Sequence, residues 1–270
     1  MDHSSKLIDG YQIPIQRPPE IEEILSTLSR FNPETGPVLQ DYVGTQCSTE
    51  TYDIMANLAL LKLYQFNPDL MREETVLNIL AKSLTVFPEP DFTLCLYLLP
   101  PNLLSTYNST ASDSSIVPAA PVVTSDDSLT NSVHRLTYLN SLLEMAAFST
   151  FWSTLASPVD EEYAEIVADV SGFDDAIRAG ITRAITLSMR SIKTETALSW
   201  LNFKTKEALE KWVAEKMPGW TVEGDAISLK SEAEDALAPS AVSSSSSGKL
   251  RFEQLSRVIK RVYENQLIHH

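Results

Sequence analysis

Nucleophilic, acid–base or metal chemistry in this chain would have to be assembled from very few groups. Of the four histidines, His3, His269 and His270 stand at the chain ends. That leaves His134 as the internal imidazole on which a Ser-His-Asp or Cys-His arrangement could be built. The two cysteines, Cys47 and Cys95, fall in segments of apolar, helical character and read as buried reduced thiols, not as a ligand pair. No Cys/His spacing suits zinc, no glycine-rich phosphate loop follows a strand pattern, and eight glycines are few for a nucleotide enzyme. The 36 acidic residues are spread over helical surfaces, where solvation is their ordinary role. The expectation is a protein with no catalytic, cofactor-binding or metal-binding residues, one that works through its surfaces.

Charge narrows the class of partner. With 21 basic against 36 acidic residues the net charge is −15, which opposes a polyanion unless a local basic patch exists. Direct RNA binding is therefore not expected. The N-terminus lacks a basic region followed by an apolar run. No apolar stretch approaches the roughly 18 residues of a membrane span. A soluble, cytoplasmic protein is expected, in which the Asn108-Ser109-Thr110 sequon is a chance match.

The elements that would build such surfaces are mostly helices. Residues 1–19 carry Pro14, Pro18 and Pro19 with little periodicity and read as an extended arm. Ile21, Ile24, Leu25 and Leu28 form a first amphipathic face, and a segment around Val38 to Tyr42 follows. Next comes the block from Arg30 to Pro68, in which two Phe-Asn-Pro punctuations bracket a helix that is apolar nearly all round. Ser48 or Thr49 can cap this helix, with Glu50 adding favourable charge. Ile54, Leu58 and Leu61 share one side while Leu60, Leu63 and Tyr64 share another, so both sides must be covered. Asn67-Pro68 marks its stop and Asn32-Pro33 an earlier break. The block reads as a rigid frame and not as a working surface.

Val76, Leu77, Leu80 and Leu84 continue the helical theme until Phe87-Pro88-Glu89-Pro90. Residues 105–132 are rich in Ser, Thr, Asp, Ala and Pro and poor in large apolar groups, the composition of a disordered insertion. Leu136, Leu139, Leu142 and Leu143 resume the pattern, which runs on to Phe151-Trp152. Ser171 and Asp174 have capping-box-like spacing ahead of a helix carrying Ile177, Ile181, Ala184 and Ile185. Helices of this length joined by short polar or proline-containing links predict an α-solenoid over residues 20–193.

Residues 194–230 change character. A helix ends near Leu201, and Thr205 can cap another that carries Leu209, Trp212 and Val213 and stops at Pro218-Gly219. Trp220 and Val222, then Ile227 and Leu229, alternate around Glu223-Gly224-Asp225 like a small hairpin. Helix, helix, hairpin is the order of a winged helix. Its five lysines (Lys204, Lys206, Lys211, Lys216, Lys230) against six acids leave a charge of −1 and no phosphate-binding stripe. Residues 231–248, with their five-serine run, read as a flexible linker. Residues 249–270 hold the best amphipathic helix: Phe252, Leu255, Ile259 and Val262 in 3-4-3 spacing, joined by Val258 and Tyr263. These six are the expected partner-binding residues, docking in cis on the winged helix or in trans in a bundle of partner subunits.

The ordered blocks RFNPE, YDIMANLALLKLYQFNP, DFTLCLYLL (Asp91–Leu99), FWSTL (Phe151–Leu155) and SGFDDAIR (Ser171–Arg178) resemble the subunit K family of eukaryotic translation initiation factor 3. The resemblance spans about Arg30 to Lys230. It implies a mainly α fold in which HEAT-like helical repeats join a winged helix, the arrangement of PCI-type scaffold subunits. It also implies a non-catalytic role in translation initiation at the small ribosomal subunit, with subunit L the nearest partner. The alternatives are a small PCI-type subunit of the COP9 signalosome or proteasome lid, which the Tyr64–Pro68 and Asp91–Cys95 blocks oppose, and a nucleic-acid-binding winged-helix protein.

Overall fold

Helices dominate the computed structural model, which describes residues 7–8, 11–12, 17–104, 128–158 and 160–229. The chain divides into two units, Met1–Leu229 and Lys230–His270. The second lies wholly outside the described residues, and with it the expected linker and the expected docking residues Phe252, Leu255, Val258, Ile259, Val262 and Tyr263.

In the N-terminal arm, β1 (Leu7–Ile8) and β2 (Tyr11–Gln12) pair antiparallel. Then come α1 (Pro19–Ser26), α2 (Gly36–Thr49), α3 (Ile54–Phe66), α4 (Glu73–Leu84) and α5 (Asp91–Leu96). Helix α6 (Ser128–Glu144) begins inside the segment expected to be an insertion, because Leu129, Thr130 and Ser132 are buried against the fold. Helices α7 (Phe148–Leu155), α8 (Glu162–Val167) and α9 (Phe173–Ser188) complete the helical part. Leu136, Leu139 and Leu142 on α6 are fully buried, each contributing about 1.5–3 kcal/mol of gross hydrophobic stabilisation.

The Arg30–Pro68 helix is covered on both sides as expected: Ile54, Leu60, Leu61, Leu63 and Tyr64 are buried and Leu58 half-buried. Its cap differs. Ser48 and Thr49 close the end of α2, Glu50 takes a left-handed conformation (φ 58°), and Asp53 caps α3 by accepting from the Ala56 N–H. Asp53 prevails because its carboxylate has other buried partners. The Arg17 guanidinium donates to both its oxygens, at 2.6 Å through Nη2, and the Asp53 N–H donates to Gln46 Oε1 at 2.8 Å. A charge-assisted bidentate contact outweighs a lone hydroxyl cap.

Helix α4 is more completely enclosed than α3. Thr75, Val76 and Asn78 through Leu84 are buried, and α4 touches α2, α3, α5, α6 and α8. Its polar members Asn78, Lys82 and Ser83 conceal this in the sequence. The expected capping box before α9 does not form either. Gly172 (φ 68°) precedes the helix, and the Ser171 N–H instead donates to the Cys47 carbonyl at 2.9 Å, tying α9 to the end of α2.

The last part is β3 (Ser191–Lys193), α10 (Thr194–Trp200), α11 (Lys206–Lys216), β4 (Trp220–Glu223) and β5 (Ala226–Leu229). Thr205 caps α11 through the Ala208 N–H, as expected. The sheet has three antiparallel strands in the order β3-β5-β4, with Ile227 facing Ile192 on one side and Val222 on the other. Strand β3 precedes the expected boundary at residue 194, and three residues are too few for alternation to reveal. One continuous core runs from Ile21 to Ile227 through both parts.

Candidate interaction surfaces

The groups that could have carried chemistry are enclosed. Cys47 on α2 and Cys95 on α5 are free and buried. Burial raises both thiols, Cys95 to about 12 with a further push from Asp91, so the nucleophilic thiolate is suppressed. His134 on α6 is buried, and burial holds its imidazole below the ordinary value, partly offset by a hydrogen bond with the Leu103 backbone. Among the described residues no group of three or more His, Cys, Asp and Glu could hold a metal ion. No helix there is long and apolar enough to cross a membrane.

An open cleft of about 540 Å³ lies among α7, α8 and α9, lined by Trp152, Val167, Phe173, Asp174, Arg178 and Asn202, among others. Two of the sequence blocks meet here. FWSTL supplies Trp152, and SGFDDAIR supplies Arg178, whose guanidinium lies 5.3 Å from the ring centres of both Trp152 and Phe203. Arg178 Nε donates to the Leu201 carbonyl at 3.0 Å and Nη1 to Asp175 at 2.8 Å, while Nη2 stands 3.8 Å from Asp174. Trp152 Nε1 donates to the Trp200 carbonyl at 2.8 Å, and Trp212 Nε1 to the Thr182 hydroxyl at 2.9 Å. The Arg178 Nε bond joins α9 to the end of α10, and the two tryptophan N–H groups join α7 to α10 and α11 to α9, so the blocks build a junction.

Two of the three lysines of α11 are engaged within the protein. Lys206 donates to the Gly224 carbonyl at 2.9 Å, and Lys216 pairs with Glu215 at 3.2 Å beside the Trp212 ring.

A different surface appears where the sequence pointed to a frame. The first Phe-Asn-Pro ends a 3-10 turn, Leu28–Phe31, and the second ends α3. Each proline then opens a further 3-10 turn, Pro33–Thr35 or Pro68–Leu70. Asn32 accepts from the Glu34 N–H at 3.1 Å, and the Asn67 side chain donates to the Leu63 carbonyl at 3.1 Å, so both Asn-Pro pairs serve the backbone. The two phenylalanines meet edge to face with ring centres 6.5 Å apart, yet Phe31 is 45% and Phe66 60% exposed. The doubled motif was the available signal; that both rings face outward was not readable from the apolar pattern around them.

Residues 70–239 match the model of the CSN8/PSMD8/EIF3K family. The chain belongs to this family. Relatives named eukaryotic translation initiation factor 3 subunit K include one from Sclerotinia sclerotiorum, 46% identical over 92% of this chain and 95% of its own length. Another, from Phaeosphaeria nodorum, is 45% identical over 94% of this chain and 97% of its own. A third, from Aspergillus oryzae, is 43% identical over 92% and 95% respectively. The CSN8/PSMD8/EIF3K match covers α4 through β5, including the Arg178 junction, whereas the Phe31–Phe66 surface lies N-terminal to it.

Proposed function

We propose that this chain is a non-catalytic scaffold subunit of eukaryotic translation initiation factor 3, acting in the cytoplasm through protein–protein contacts during initiation on the small ribosomal subunit. The observation that carries the reading is near full-length similarity to relatives named subunit K. On this reading α1 to α9 are a HEAT-like solenoid and β3 to β5 with α10 and α11 a winged helix. The strand order β3-β5-β4 and the shared core support a winged helix rigidly continuous with the helical part. Subunit L is the nearest partner, and residues 249–270 dock through Phe252, Leu255, Val258, Ile259, Val262 and Tyr263. No cofactor is required. Free nucleic-acid binding is disfavoured by the net charge of −15 and by the engagement of Lys206 and Lys216 within the protein.

The test is affinity purification of the full-length chain beside a chain ending at Ser247. The full chain should recover the other initiation factor 3 subunits, and the shortened chain should recover less while staying folded. Recovery of COP9 signalosome or proteasome-lid subunits would overturn the assignment. Unchanged recovery with the shortened chain would remove the role of the terminal segment alone.

A further inference from the structure

Leu28 and Phe31 stand at i and i+3 of one 3-10 turn, a spacing that aligns side chains on one side. Leu28 is 82% exposed, and with Phe31 and Phe66 it makes three large apolar side chains open to solvent where that turn meets α3. The stop-and-start of the backbone is accounted for by Asn-Pro in both copies, and the core does not need the rings. Isolated exposed apolar residues are ordinary, but paired aromatics repeated by motif are a contiguous feature.

The charges at this face run against the rest of the molecule. Arg30 lies 4.9 Å over the Phe31 ring and Lys62 4.9 Å over the Phe66 ring. Lys62 donates to the Gln65 side chain at 2.6 Å, and neither cation has a carboxylate partner among the described residues. Glu34, on the next 3-10 turn, accepts from the Asn32 amide at 3.4 Å. On a chain of net charge −15, this is an aromatic face carrying two unpaired cations.

We propose that the Leu28–Phe31–Phe66 face docks a segment of a partner protein that presents large apolar side chains among carboxylates. The proposal rests on the scaffold reading above and deepens it. Apolar side chains cover the rings, and the carboxylates meet Arg30 and Lys62, whose place over the rings holds them at the rim. A second copy of this chain fits poorly, since a two-fold contact would set cation against cation. A nucleic acid fits poorly too, because two cations on an acidic chain neutralise few phosphates.

The experiment places the photoreactive residue p-benzoylphenylalanine at position 66 of the full-length chain, co-expressed with the other initiation factor 3 subunits, and maps cross-links in the purified assembly by mass spectrometry. The expected product joins position 66 to an acid-rich, apolar segment of another subunit. Arg30→Glu with Lys62→Glu should reduce its yield at least tenfold, as should Phe31→Ser in the photoreactive chain, with circular dichroism unchanged because these side chains are surface groups. A cross-link to RNA, to a second copy, to this chain's own residues 230–270, or to nothing overturns the proposal while a chain that still enters the assembly leaves the scaffold reading standing. Failure of the unsubstituted chain to enter the assembly removes both.

Discussion

Gly180, in the middle of α9, lies against the carbonyl of Phe87: a Cβ at Gly180 would fall 2.5 Å from that oxygen. The same loop is gripped one turn later, where Arg183 Nη2 donates to the carbonyls of both Val86 and Phe87 at 3.1 Å. In an open helix Ala would be the better residue by about 1 kcal/mol. Here the contact is with backbone, which cannot swing aside. Gly180→Ala is therefore expected to destabilise by about 1–3 kcal/mol, measured by urea unfolding. A neutral or stabilising result would show that α9 can move away from the Phe87 loop.

Asp53 combines a helix cap with a buried ion pair. Its side chain is 1% exposed and that of Arg17 6%, and the Tyr42 hydroxyl, pushed up to about 12 by burial and by Asp53, faces the same carboxylate at 3.4 Å. Asp53→Ala would leave a buried guanidinium without its main partner and α3 without its cap. The expected loss is about 3–5 kcal/mol in chemical denaturation. Thr49→Ala, at the position where the sequence predicted a cap, is expected to cost under about 0.5 kcal/mol.

Lys82 is 3% exposed within α4, and burial lowers its pKa from the ordinary 10.5, with only partial relief from Cys47 and Glu50. A depressed pKa means the unfolded chain binds the proton more tightly. Wild-type stability should consequently rise as pH approaches 10.5 from below. Lys82→Met keeps an unbranched side chain, one heavy atom shorter, and removes the buried charge. Its melting temperature is expected to equal or exceed wild type at neutral pH, and the rise in stability at alkaline pH should shrink.

His134 predicts an acid-side effect. Its imidazole is held below 6.5 by burial, so protonation is favoured in the unfolded chain and stability falls as pH drops from 6.5 through the lowered folded value. His134→Gln should flatten that part of the stability–pH curve, measured by thermal melts across the range. An unchanged slope would assign the acid sensitivity to the carboxylates alone.

Much of this was legible in the sequence because it depends on local pattern. The helical periodicities of α3, α6 and α11, the Thr205 cap, the Asn-Pro stops and the alternation of Trp220–Leu229 are all set by neighbours a few residues apart. So are the paucity of histidine and cysteine and the ordered blocks that placed the chain in its family. The tertiary structure decided the rest, because these features depend on which distant groups arrive together. Arg17 made Asp53, and not Thr49, the cap of α3. Contacts from five helices enclosed α4 despite its Lys82, and β5 recruited a strand of three residues from ahead of α10. Trp152 and Phe203 gave Arg178 its place at the junction. Phe31 and Phe66 carry the same motif in a run that reads as core; only the packing of the Leu28 turn against α3 turned both rings outward and set them beside Arg30 and Lys62.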